Sequence, residues 1–156
     1  TSNVATANAY VIINKMMVLT KGASGPNVGV ITATAQTDAT VTAHISVGDG
    51  TTQSTVYGFP STQTVYMGRL FGNILKGGGN AAADVALQFN PEPDVEITTF
   101  LTNHVFAVES DGDSNTTINF YVPKVLAGPG IIKIHATVSA NNTDVSGGYD
   151  FILIDN

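Results

Sequence analysis

The closing segment of the chain, residues 131–156, constrains the fold more than any other feature. Between residues 131 and 139 apolar and polar side chains alternate, which is the period-two pattern of a strand with one buried face. After a polar turn that begins at Asn141, residues 149–154 are apolar on both faces apart from Asp150. A strand without a polar face is covered on both sides. We therefore expect a second layer on one face and further protein, such as another subunit, on the other.

Most of the remaining chain has the pattern of short strands separated by Gly, Pro, Asn and Asp, without helical periodicity. The predicted strands are 9–19, 28–34, 40–47, 54–59, 62–75, 84–89, 95–108 and 116–122. Gly68 and Gly72 interrupt the longest run and would allow a bulge or bend there. These patterns predict an all-β protein, with one domain over residues 1–156 built as a two-sheet antiparallel sandwich. Jelly-roll topology is the favoured variant.

The charge content of the chain narrows the classes of partner. Charged residues make up 12% of the 156 residues, against roughly 25% in typical soluble domains. The net charge is −6, and the six Lys and Arg residues are scattered. Nucleic acids and anionic membranes need clustered cations, so we expect neither as a partner. The chain has no cysteine, which excludes disulfides and thiolate-bound metals.

An acidic turn at residues 109–115 is the one candidate metal site. Asp111, Asp113 and Asn115 place oxygen atoms two residues apart, as a calcium-binding loop does. An EF-hand needs glycine at its sixth position, where this chain has Thr116. Asp-Gly between two strands is also the strongest short hairpin signal, so an ordinary solvated turn is the favoured interpretation and calcium the alternative. We expect no other cofactor.

The sequence contains no strong catalytic motif. The three histidines, His44, His104 and His135, lack the close spacing of metal-binding motifs, and solvated roles are favoured for them. Asp94 and Glu96 would share one strand face and could in principle act as an acid and a base, but a solvated edge is the favoured interpretation. We therefore expect a protein that is not an enzyme. Among the possible functions, we rank a hydrolase or metal enzyme third.

Two tyrosines form the basis of a second functional hypothesis. Tyr57 and Tyr121 alternate with apolar neighbours, so both could face outward and stack on sugar rings. The chain has no tryptophan, which is the strongest sugar-stacking residue. A glycan-binding module that attaches to a host-cell surface is thus the alternative function.

Several segments in order along the chain resemble one family. They are residues 31–38, 45–53, 57–60, 139–150 and 153–156. Together they resemble a group of poorly characterised virion-associated proteins of tailed bacteriophages that infect marine bacteria, and of related environmental viral sequences. The closing motif, from Ser139 to Asp150, is the most specific part. The family often has Pro-Ala-Gly-Lys-Thr where this chain has Pro60-Ser61-Thr62-Gln63-Thr64, so a shared role for that turn does not carry over.

The resemblance implies a structural protein of a virus particle, with no catalytic residue to carry over. Many members have an additional β-rich half before the segment that residues 8–18 resemble, so the chain is expected to be the C-terminal domain of a longer protein or a shortened relative. Its location would be the virion, as a capsid decoration or tail-associated component beside other virion proteins. We expect a homo-oligomer, with a closed trimer favoured. Its interface is expected at Met17, Leu19, Phe151 and Leu153.

Overall fold

The computed structural model describes residues 12–20, 22–23, 25–36, 39–76, 80–110 and 115–156. These residues form nine strands and no helix, so no helix of the described chain could span a bilayer. The all-β class predicted from the sequence is confirmed. By its internal contacts the chain divides into two compact units, Thr1–Ser54 and Thr55–Asn156. A single domain over 1–156 stays a prediction.

The first unit contains one antiparallel hairpin, β1 (Ile31–Thr34) with β2 (Val41–Ile45). Both strands are shorter than predicted, and the turn at 47–49 follows them as expected. Asn27 holds this turn, because its side-chain amide donates to the carbonyl of Ser46 at 2.8 Å and accepts from Gly50 N at 3.1 Å. The strand predicted over 9–19 is wrong for residues 12–19, of which only Met17 forms an isolated bridge, to Thr51.

The second unit contains the other seven strands. They are β3 (Val56–Phe59), β4 (Gln63–Lys76), β5 (Ala82–Asn90), β6 (Leu101–Glu109), β7 (Asn115–Ala127), β8 (Gly130–Val138) and β9 (Thr143–Asp155). One antiparallel sheet has the order β3-β8-β5-β6, and the other has β7-β4-β9. Strands β8 and β9 are consecutive in the chain but belong to different sheets.

The inner faces of the two sheets share one hydrophobic core. Val65, Met67 and Leu70 of β4 belong to the same buried cluster as Leu87 of β5 and Ile132 of β8. We call this arrangement the sandwich. The alternation predicted for 131–139 is confirmed for residues 132–137, since Ile132 is buried and Ile134 and Ala136 pack against the core, whereas His135 and Thr137 are exposed. At the two ends it fails, because Ile131 is also buried and Val138 is exposed.

Glycine and asparagine residues shape the strand ends and irregularities. The register of β4 shifts between Met67 and Arg69 against both of its neighbours, which confirms a bulge at Gly68. The buried Asn90 donates to the carbonyl of Glu96 at 2.6 Å and accepts from Glu92 N at 2.9 Å. These bonds hold residues 91–96 in turns, so β6 begins at Leu101 and the strand predicted from residue 95 was too long.

Candidate functional site

An apolar row crosses the outer face of the three-stranded sheet. Tyr66 of β4 lies opposite Val125 of β7 on one side and Ile152 of β9 on the other, so the three side chains are neighbours. In the next row Ile154 lies opposite Thr64. Ile152 is 66% exposed and Val125 is 58% exposed. We call Tyr66, Val125, Ile152 and Ile154 the outer apolar face.

A protrusion of β7 adds two further side chains beside this face. Four residues of β7, 120–123, lie between the partners of Met67 and Arg69, whereas β4 has only Gly68 there. The extra residues bulge from the sheet and leave Tyr121 fully exposed and Val122 81% exposed. Both faces of the Tyr121 ring are therefore available for contact with another molecule.

One ion pair borders the outer apolar face. Arg69 Nε donates to Asp150 Oδ2 at 2.7 Å, and each side chain is about half exposed. An exposed pair of this kind contributes little stability, about 0–1 kcal/mol. The two charges of this pair balance each other, so the pair adds no net charge beside the face although the chain as a whole is acidic.

The outer face of the four-stranded sheet has a different character. Gln88 of β5 lies between Lys133 and Thr102, and Asp84 lies between Thr137 and Ala107. Polar side chains thus fill most of the rows on that face. Val105 is also exposed on that face, but it lies between polar rows, whereas the exposed apolar residues of the three-stranded sheet adjoin one another.

The interface residues predicted from the sequence fall into two groups. Phe151 and Leu153 pack against the core on the inner face of β9, so the exposed side of this strand consists of Ile152 and Ile154 instead. Met17 and Leu19 belong to the first unit and are exposed. The sequence did indicate which face of β9 is the outer one. Asp150, Ile152 and Ile154 are alternate residues, so in a strand they share one face, and the charged Asp150 marks that face as exposed.

The two tyrosines predicted to face outward also differ in their surroundings. Tyr121 is exposed as expected, but Tyr57 packs against the core with its ring centroid 5.0 Å from that of Phe151. Tyr149 joins this group, 5.8 Å from Phe151, and donates its hydroxyl to the carbonyl of Thr55 at 3.0 Å. The group ties β3 to β9 and leaves Tyr121 as the exposed candidate for ring stacking.

The partly buried Tyr149 leads us to expect that the folded protein loses stability at alkaline pH. Burial, with a smaller contribution from the neighbouring Tyr57, raises the pKa of Tyr149 above its ordinary value near 10. A raised folded pKa gives a stabilisation that is complete below the unfolded pKa and is lost as the pH rises above about 10. The urea midpoint is therefore expected to hold from pH 7 to about 9 and to fall above about 10.

Two phenylalanine variants test this assignment. Tyr149→Phe is expected to lose the hydrogen bond to Thr55, at a cost of about 1 kcal/mol near neutral pH, and to show a shallower alkaline fall. Tyr121→Phe changes an exposed ring and should keep the wild-type profile. An equally steep fall in Tyr149→Phe would contradict the role of this phenol.

The groups considered for catalysis are spread over the structure. His44 lies on β2 and is exposed, His104 packs edge-on against Phe120 at 5.5 Å, and His135 lies on the outer face of β8. In the described residues no three His, Asp or Glu side chains are grouped so that they could hold a metal ion.

The carboxylates of Asp94 and Glu96 lie in the turns before β6 and not on a strand, so the shared strand face predicted for them is wrong. Hydrogen bonds from the Thr98 hydroxyl and backbone N–H lower the pKa of Glu96. This direction is the opposite of what a general acid at neutral pH requires.

The predicted calcium ligands are only partly within the described residues. Asp111 and Asp113 lie outside them. Asn115 begins β7, and its side-chain oxygen accepts a hydrogen bond from the amide of Asn73 on β4. The calcium site stays a prediction.

Comparisons of the chain with protein-family models, with curated proteins and with solved structures found no match.

Proposed function

We propose that this protein is a non-enzymatic structural component of a virus particle, such as a capsid decoration or a tail-associated protein. The observation that carries the proposal is the outer apolar face of the three-stranded sheet, which fits a building block that contacts further protein. The low charge content and the resemblance of the closing segment to virion-associated proteins support it.

The outer apolar face supplies a reason for assembly. Burying an exposed Ile or Val side chain contributes about 1.5–3 kcal/mol, and Ile152, Ile154 and Val125 are each about half exposed or more. Their burial against another protein would release several kilocalories per mole, part of which offsets the entropy lost on association. We propose a homotrimer with other virion proteins as neighbours, and a jelly-roll topology for the sandwich.

A substitution on the outer apolar face tests the assembly. Ile152→Asp places a carboxylate at the end of the row that Ile152 forms with Tyr66 and Val125, and burying an unpaired charge there in an assembly is costly. We expect the variant to have a lower mass by light scattering than the wild type at the same concentration, with an unchanged circular dichroism spectrum. Val105→Asp on the other sheet is the matched control, since Val105 is similarly exposed, and should keep the wild-type mass.

A separate experiment tests the location. Virus particles from a sample that carries the sequence can be purified on a density gradient and digested for mass spectrometry. Peptides of this chain should be enriched in the particle fraction. Recovery in the cellular fraction alone would contradict the virion role.

Tyr121 favours a second candidate function, glycan binding at a host surface. Its ring is fully exposed at the bulge of β7, and sugars stack on such rings. Binding on a glycan array that Tyr121→Ala abolishes would support this function, whereas an array without bound glycans would count against it.

A further inference from the structure

In the part of the chain that the structure describes, the sandwich has four edge strands, and three of them are protected against pairing. Strand β3 has only four residues, and β7 carries Pro123, Lys124 and its bulge. On β6 the carbonyls of Asn103 and Ala107 accept hydrogen bonds from Lys124 at 2.9 Å and Thr116 at 3.4 Å. Short length, proline, lysine, bulges and side-chain cover are the features that keep edges from joining other chains.

Among the described residues, strand β9 has none of these features. It runs for 13 residues, from Thr143 to Asp155, without proline, lysine or arginine, and the bulge at Gly68 lies on its partner β4. Within the described chain it pairs only with β4. A long regular edge of this kind is a template for another strand.

The hydrogen bonding of β9 defines which main-chain groups point to the open edge. Asn156 N donates to the carbonyl of Thr62 at 2.8 Å, and the register continues through Ile154 opposite Thr64 and Ile152 opposite Tyr66. In an antiparallel ladder, alternate residues direct their N–H and C=O groups to opposite sides. Even-numbered residues of β9 therefore face β4, and odd-numbered residues direct theirs outward.

We infer that β9 pairs with the β9 strand of a second copy of this chain, antiparallel and centred on Tyr149. This register aligns Thr143 with Asp155 and uses all 13 residues of both strands. Odd-numbered residues then lie opposite odd-numbered residues, so the outward N–H groups of each copy meet the outward C=O groups of the other. The two sheets become one continuous sheet of six strands.

The acidic residues favour a second copy as the occupant. In the register centred on Tyr149, Asp144 lies opposite Ile154, Asp150 opposite Gly148 and Asp155 opposite Thr143. No two carboxylates are directly opposed, which matters for a chain of net charge −6. A register shifted by one residue in each copy, centred on Asp150, would place the two Asp150 side chains face to face.

This inference goes beyond the proposed function, since strand pairing would join two copies whether or not they belong to a virus particle. It also uses a different surface. The proposed trimer contact lies on the outer apolar face, whereas the pairing lies along the edge of the same sheet. A protein with both contacts would form an assembly larger than a trimer, of which a hexamer is the smallest closed form, and one with the edge contact alone would form a dimer.

Engineered disulfides test the register directly, because the chain has no cysteine. Even-numbered residues opposite each other would form non-hydrogen-bonded pairs, with Cα atoms about 4.5 Å apart, within the range of a disulfide. Ser146→Cys/Ile152→Cys and Asp144→Cys/Ile154→Cys match the register. Ser146→Cys/Ile154→Cys takes one position from each matched pair and is out of register. The two cysteines of one chain are at least six residues apart on one strand, about 20 Å, and cannot join each other.

Both matched variants are expected to form covalent dimers on mild oxidation roughly tenfold or more faster than the out-of-register variant, because pairing raises the local thiol concentration. Dimers are read on a non-reducing gel, and reduced samples should show the wild-type circular dichroism spectrum. Equal rates in all three variants, or no dimer in the two matched ones, would overturn the inference. The mass of Ile152→Asp tests the proposed function separately, since that variant leaves the main chain of the β9 edge unchanged.

Discussion

Leu153→Asp is expected to destabilise the sandwich strongly. Leu153 packs against the core on the inner face of β9, opposite the buried Val65 of β4. An aspartate there loses the apolar contacts and brings a carboxylate towards a core that offers it no partner. We expect a loss of about 3 kcal/mol or more, which corresponds to a decrease in melting temperature of roughly 6 °C or more for a chain of this length. Thermal denaturation followed by circular dichroism measures it.

The neighbouring Ile152→Asp is the matched control, since the same carboxylate is placed one residue away on the opposite face. Ile152 is mostly exposed in the single chain, and substitutions at such positions change the stability of that chain by about 1 kcal/mol or less. The pair of variants therefore separates folding from assembly. If Leu153→Asp melted at the same temperature as Ile152→Asp, the inner and outer faces of β9 would be assigned in the wrong order.

Gly128→Ala is expected to be the other strongly destabilising change. A β-carbon at Gly128 would overlap the carbonyl oxygen of Pro60 and would lie 2.9 Å from that of Gln63. Both neighbours are main-chain atoms, which cannot rotate away as a side chain can. The turn would have to move and would weaken the bond from Gly128 N to Gln63 O, now 3.0 Å long. We expect a cost of about 2–3 kcal/mol, measured as a lower urea midpoint.

Gly68→Ala provides the comparison for that variant. Gly68 forms the bulge of β4, and a β-carbon there would meet no atom within 4 Å. Its substitution is expected to change the free energy of unfolding by less than about 1 kcal/mol. A smaller loss for Gly128→Ala than for Gly68→Ala would contradict the close approach of the turn at Gly128 to β4.

The sequence predicts the strands of the second unit well where a single pattern governs them. The alternation in residues 131–139 reflects only the burial of one strand face. The structure places Ile132, Ile134 and Ala136 against the core, as the pattern predicts. The bulge at Gly68 was predictable because glycine interrupts a long β-branched and aromatic run. Local composition is enough for such features.

The pairing of the strands with one another, and the residues at which strands begin and end, were not predictable in the same way. Residues 12–19 have strand-forming side chains but only the bridge at Met17, because strand formation also needs a partner with a matching register. Strand β6 begins later than its apolar run suggests because Asn90 bonds the preceding turns. These contacts join residues whose relation the local pattern does not contain.

The candidate site likewise has features that the local pattern predicts and features that depend on long-range contacts. The two-sided apolar character of β9 indicated that a second surface needs cover, but Phe151 and Leu153 were assigned to that surface when Ile152 and Ile154 form it. The remaining members, Tyr66 and Val125, join the site only through the order β7-β4-β9. Strand order is a long-range property, and no pattern within one strand reveals it.

The most direct test of a structural role is the mass of the wild-type protein in solution, measured by light scattering over a concentration series. We expect a stable assembly whose mass is a whole-number multiple of 16.2 kDa and does not change on dilution in the micromolar range. Ile152→Asp should shift that mass downward. A wild-type mass of one chain at every concentration would contradict the proposal that this sandwich is a building block.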